Sequence, residues 1–120
     1  MNDDRRFPAS VYREGTEPDA RFSLANERTF LAWLRTALAL YAGAFALEAL
    51  ALPEAVAWRV AAAAVFVCLG TLAAVQAWLG WAATERSLRR GAPLPGLAVG
   101  GILVVGVILA AALVAIGLFA

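Results

Sequence analysis

The stretch Val60–Thr84, VAAAAVFVCLGTLAAVQAWLGWAAT, holds no charged residue. About 20 helical residues cross the hydrocarbon core of a bilayer, so an apolar run of this length reads as a membrane span. A second uncharged run, Gly91–Ala120, follows after a short polar break. A third apolar stretch precedes it, from Phe30 to Leu52, interrupted by Arg35 and Glu48. Composition agrees, with 62% of the 120 residues hydrophobic and 16% charged, against about 45–50% and about 25% in soluble domains. The pattern predicts an all-α, polytopic membrane protein with three transmembrane helices, at about residues 30–52, 57–83 and 96–120.

The breaks between spans set the connectivity. Pro53 ends the first span, because proline cannot continue the helical hydrogen-bond ladder. Only residues 53–56 separate it from the second span, which predicts a tight antiparallel hairpin. Arg86, Arg89, Arg90, Gly91, Pro93 and Pro95 read as a short basic loop before the third span. Residues 1–15, MNDDRRFPASVYREG, are polar and broken by Pro8 and Gly15, and read as a flexible cytoplasmic tail. Residues 16–120 form the membrane domain. At its start, Thr16 caps a helix well, Pro18 suits a first turn, and Glu17 and Asp19 favour the positive dipole end. Ser23 offers a second start. An N-terminal interfacial helix through Asn26, leading into the first span, follows from these signals. A cleaved signal peptide is not expected, since 29 residues precede the apolar run and that run is too long for a signal core.

Orientation follows from the arginines, which make up all ten basic residues. Arg5, Arg6, Arg13, Arg21, Arg28, Arg35, Arg86, Arg89 and Arg90 lie in the tail, at the entry to span one or after span two; only Arg59 flanks the other loop. The positive-inside rule then places the N-terminus in the cytoplasm and the C-terminus outside. The Arg-only, Ala-rich composition points to a GC-rich bacterial genome, hence to the bacterial inner membrane.

Arg21, Arg28 and Arg35 are spaced by sevens. Each such step drifts only about 20° around a straight helix, giving one ladder with about 10 Å between rungs. Arg35 lies inside the apolar span, where charges face a bundle interior or a watery cavity, or snorkel to lipid phosphate near an interface. Two structural ion-pair groups are expected. Glu85 ends span two at the depth of Arg28 and Arg35, with Glu27 nearby, which favours a carboxylate–arginine pair between helices. Glu48 and Arg59 flank the Pro53 turn at matched depth and can neutralise each other across the hairpin, a reading favoured over a proton-responsive carboxylate. Gly96 and Gly100 form a GxxxG pattern suited to close helix packing. Trp33, Trp58, Trp78 and Trp81 sit near span ends, as interfacial anchors do. The lone Cys68 reads as a buried, inert thiol. There is no His, no Cys pair and no Ser-His-Asp set, so no catalytic residue, metal site or cofactor is expected, and no enzyme.

The string RFSLANERTFLAWLRT, residues 21–36, resembles the signature of the DUF202 (YidH-like) membrane family, and Asn26–Arg35 is its diagnostic core. Glu85-Arg86, Arg89-Arg90-Gly91 and Pro93 resemble that family's second loop. The likeness covers about residues 20–120 and implies three spans. The membrane domain of the eukaryotic vacuolar transporter chaperone complex is similar too. There, several three-helix units surround a pore that passes polyphosphate. That resemblance implies a ring-like homo-oligomer, a pentamer by analogy, with Arg28 and Arg35 on the pore side. Polyphosphate synthesis is not implied, because the polymerase and sensing domains of that complex have no counterpart here.

Two functions compete on these grounds. One is a homo-oligomeric channel or transport subunit for a phosphate- or polyphosphate-like anion, with an arginine-lined cytoplasmic entrance. The other is a non-transporting adaptor or scaffold, whose basic rim (Arg86, Arg89, Arg90) holds anionic lipid or a partner protein. A proton-coupled exporter subunit using Glu48 has less support. The lipid bilayer is a partner in every reading, a polyanion in the first, and nucleic acid in none.

Overall fold

The computed structural model describes residues 4–96 and 98–120. Its elements are all helical: α1 (Ala9–Tyr12), α2 (Ala20–Leu50), α3 (Val56–Arg90) and α4 (Ala98–Phe119). Three of them, α2, α3 and α4, are long and apolar enough to cross a membrane. The molecule is a rod of 64 × 25 × 20 Å. At about 1.5 Å per residue, α3 is roughly 50 Å long, well beyond a hydrocarbon core of about 30 Å. The arginine-rich ends of α2 and α3 therefore project past the apolar band.

Local chemistry explains the helix ends. Asp19 caps α2, its carboxylate accepting from the Arg21 amide at 2.9 Å. The chain from Ala20 is one continuous helix, so no separate interfacial helix covers residues 16–26; the short N-terminal helix is α1 instead. Ala51 ends α2 in the left-handed region at φ 52°, and Pro53 prevents continuation. Gly91 ends α3 at φ 64°. There the Ala92 amide donates to the Ser87 carbonyl at 2.9 Å, the closure for which glycine is preferred.

Packing is a flat layer. α3 lies in the middle, α2 packs on one side and α4 on the other, and α2 and α4 make no close backbone approach to each other. The contact seams are built of small residues: Ala37 and Ala44 on α2, Ala62, Gly70, Ala73 and Ala77 on α3, and Ala110 on α4 are all buried. Small side chains let helix backbones approach closely where no hydrophobic driving force separates helix from lipid.

Glycines at close contacts within the chain are Gly70, Gly106 and Gly117. Gly96 lies before α4, and a methyl group there would meet nothing. Gly96 therefore adjoins no other helix within the chain. At Gly70 a methyl group would come within 2.8 Å of the Tyr41 ring. At Gly106 it would strike Leu69, and at Gly117 Pro53 and Trp58. Cys68 is exposed rather than buried. It borders an apolar groove between α3 and α4 with Gly101, Val105 and Leu109.

Candidate functional site

The chemistry collects at the arginine-rich end of the α2–α3 hairpin. Taking Ala37 as the centre of the α2 face buried on α3, and about 100° per residue, Arg21, Arg28 and Arg35 fall about 160–200° away. All three are exposed and lie on the outward face of α2. Arg21 pairs with Asp19 at 2.9 Å. Arg28 and Arg35 have no hydrogen bond or ion pair among the described residues. Counted from Ala51 at about 1.5 Å per residue, Arg35 lies about 24 Å and Arg28 about 35 Å along α2. With a hydrocarbon core of about 30 Å, Arg35 falls just inside the apolar boundary and Arg28 just outside it.

Much of the remainder of that outward stripe is alanine, with Leu50 exposed at the same angle as Ala32. Ala32, Ala39, Ala42, Ala46 and Ala49 continue the alternating three- and four-residue spacing, and each is exposed. A flanking row of large side chains, Leu24, Leu31, Leu38 and Phe45, is exposed beside it.

Glu85 faces the other way, into the α2–α3 seam, and is buried. Its carboxylate accepts from the Ser23 hydroxyl at 2.7 Å and the Asn26 amide at 3.2 Å. The Asn26 amide also donates to the Trp81 carbonyl at 3.0 Å. The expected Glu85–arginine pair is not formed, because Arg28 and Arg35 point away from α3. Hydrogen bonds to a charged group contribute about 1.5–3 kcal/mol each, which offsets part of the cost of burying the carboxylate. Ser23 and Asn26 share the α3-facing side of α2; projecting the apolar seam onto a helical wheel would have identified them. Glu27, expected in an ion pair, makes none among the described residues. Glu48 and Arg59 do meet across the hairpin turn, at 3.5 Å, and the Arg59 guanidinium also donates to the Pro53 carbonyl at 3.3 Å.

The expected basic loop is a clasp. Arg86, Arg89 and Arg90 belong to the last turns of α3. Residues 4–19, expected to begin as a flexible tail, are laid over that end. Arg89 is buried and donates to the carbonyls of Tyr12 and Glu14, each at 2.7 Å, and to the Glu17 carboxylate at 3.1 Å. The Thr16 amide returns a bond to the Arg89 carbonyl at 3.0 Å. Arg90 pairs with Glu14, and Arg86 donates to the Ser10 hydroxyl at 3.3 Å. Arg6 bridges Asp4 and Glu17 at 2.5 and 2.6 Å. Gly15 adopts φ +56° against the Arg89 carbonyl, where a methyl group has no room. Hydrogen bonds from Arg6 and Arg89 hold the Glu17 carboxyl below its ordinary 4.5. Those from Arg6 lower Asp4 to about 2. Burial pushes the Tyr12 phenol up, with the nearby Glu85 charge adding to it.

Comparison with known proteins identifies the family. Residues 21–87 match the family described as "Domain of unknown function (DUF202)", a span that takes in most of α2 and α3. Over 108 residues the chain is 45% identical to "Uncharacterized protein Rv2272" of Mycobacterium tuberculosis (strain H37Rv), covering 82% of this chain and 86% of that protein. Over 87 residues it is 44% identical to "Inner membrane protein YidH" of Escherichia coli (strain K12), covering 71% of this chain and 75% of that protein. No solved structure matches. An arginine-bearing first span, hairpinned to a second and followed by an apolar third, together with these matches, makes this chain an integral membrane protein that belongs to the DUF202 family.

Proposed function

We propose that several copies of this chain assemble through the outward face of α2 and surround an anion path whose cytoplasmic entrance is lined by Arg28 and Arg35, with Arg21 at its rim. The observation that supports this reading is the placement of two arginines, unpaired among the described residues, on an exposed, alanine-rich face of α2 directed away from α3. A lone guanidinium facing lipid inside the apolar boundary is costly. A ring of them around a watery axis stabilises an anion and is itself hydrated. Alanine below the rings lets neighbouring α2 helices approach closely. The anion is phosphate-like, since guanidinium forks match phosphate oxygens in pairs.

The arginine-rich end faces the cytoplasm in this reading, by the charge bias of the loops, and the membrane is the inner membrane, as for the relative named above. Alkaline phosphatase fused after Ala120 is then active outside the cell, and a cytoplasm-dependent reporter at that site is silent. The opposite result reverses the topology.

Purified protein in liposomes should pass phosphate, and Arg35→Ala should abolish that flux with the oligomer intact. Absence of flux from the wild-type oligomer sinks the proposal. The adaptor reading draws less on the structure, because Arg86, Arg89 and Arg90 are engaged with the N-terminal segment rather than open to a partner. A compact monomer with Arg35 in contact with lipid would restore it.

A further inference from the structure

A second feature lies on a different side of α2. Glu27 sits about 100° around the helix from Arg28, beside α3. It borders a pocket of about 390 Å³ whose other walls are Phe7, Phe30, Leu31, Trp78 and Trp81. Small-molecule sites begin at about 300 Å³. The Trp78 and Trp81 rings stand 5.5 Å apart, and the Phe7 ring lies 6.0 Å from Trp78. Glu27 is the one charged group among these walls. Its carboxylate makes no hydrogen bond or ion pair with any described residue. Leu31 lies about 30 Å along α2 from Ala51, so the pocket straddles the apolar boundary.

We infer that this pocket binds an organic cation without N–H groups, of the quaternary ammonium class, at the membrane surface. Aromatic faces carry negative charge and attract a cation placed over them. The Glu27 carboxylate supplies the counter-charge. A primary ammonium brings three N–H donors, and among these walls only Glu27 accepts them, since an indole N–H is a donor. A quaternary centre has no such demand and loses nothing against rings. Glu27 is exposed; a neutral apolar occupant would displace part of its water without replacing it, which is unfavourable. Interfacial anchoring accounts for the tryptophans, but it does not require an unpaired carboxylate set among them. Phe7 comes from the N-terminal segment that Arg89 clasps to α3, so the clasp completes the pocket.

Two sources share this chemistry: the choline headgroup of a lipid and a free quaternary amine. The inference is independent of the proposed anion path, which uses another face of α2. The test is equilibrium dialysis of labelled tetraethylammonium against the full chain in dodecyl maltoside micelles, which carry neither charge nor choline. Saturable binding is expected. Glu27→Gln should weaken it about tenfold or more, and Phe7→Ala by a few-fold. Glu54→Gln, which removes an exposed carboxylate in the turn at the far end of the hairpin, should leave it unchanged. Competition by stoichiometric dodecylphosphocholine assigns the site to a headgroup; its absence assigns the site to a free cation. The inference is overturned if the wild type shows no saturable binding, if Glu27→Gln binds as the wild type does, or if Glu54→Gln loses as much.

Discussion

The outward face of α2 and the outward face of α4 are both exposed, and they are built from different materials. α4 presents Val104, Ile108, Ile116 and Phe119, with Ala112 and Ala115 among them, mostly large side chains that mix readily with acyl chains. α2 presents Ala32, Ala39, Ala42, Ala46 and Ala49 in a narrow stripe, headed by Arg28 and Arg35. Small side chains waste lipid contact but allow a second helix to come close. The same contrast operates inside the chain, where the buried apolar seams of α3 are alanine and glycine with the one exception of Leu69. By that standard α4 is the more lipid-like surface of the two, and α2 resembles a seam that lacks its other half.

The largest expected effect tests this directly. Ala42→Leu, in the middle of the α2 stripe, should convert the proposed assembly to single chains on size-exclusion chromatography, since overpacking a close seam costs about 1–3 kcal/mol. Ile108→Phe on α4 should leave the size unchanged. If the two variants behave alike, the contrast between the faces carries no meaning for assembly.

Next in size is the seam already closed. Gly70→Val should destabilise the α2–α3 hairpin by about 2–3 kcal/mol, read as a lowered thermal midpoint in detergent, because Tyr41 and the Ala37 carbonyl leave no room there. Gly101→Val, where an added methyl group meets nothing, should be tolerated.

A smaller effect is expected at the clasp. Gly15→Ala should release the N-terminal segment, seen as faster tryptic cleavage at Arg13, while the membrane hairpin stays folded. Acid should act similarly. The clasped carboxyl groups of Glu17 and Asp4 are held below their ordinary values, so their contribution is complete above pH 4.5 and is lost as pH falls toward about 2. Amide hydrogen exchange over residues 4–19, corrected for its intrinsic pH dependence, should lose protection over that window and keep it constant from pH 6 to 8. The smallest effect is at Ala51, whose left-handed φ of 52° is costly for a residue with a Cβ. Ala51→Gly should raise stability by up to about 1 kcal/mol.

The spans were legible because charge is excluded from long runs, and a membrane crossing has few alternatives. The hairpin was legible from Pro53 and the short turn. The Glu48–Arg59 pair could be placed because both residues sit a few positions from that turn, where depth alone brings them together. The arginine ladder was legible from its spacing, but the direction it faces was not, since direction depends on which stripe α3 covers. That uncertainty led to an arginine partner for Glu85, whose actual partners are Ser23 and Asn26. The clasp left no sequence signal: Arg89 is held largely by the backbone carbonyls of Tyr12 and Glu14, and every residue carries a carbonyl. The aromatic pocket was hidden for a similar reason, since Phe7 reaches Trp78 only after the N-terminal segment folds back.

α4 touches α3 and the turn before it, and leaves α2 alone. The order of synthesis gives this layout a temporal meaning. By the time Gly91 has left the ribosome, every partner in the α2–α3 seam, the Glu85 site and most of the clasp has been made. The hairpin can leave the translocon as a finished pair, and the third helix arrives later as a rib laid on a completed unit.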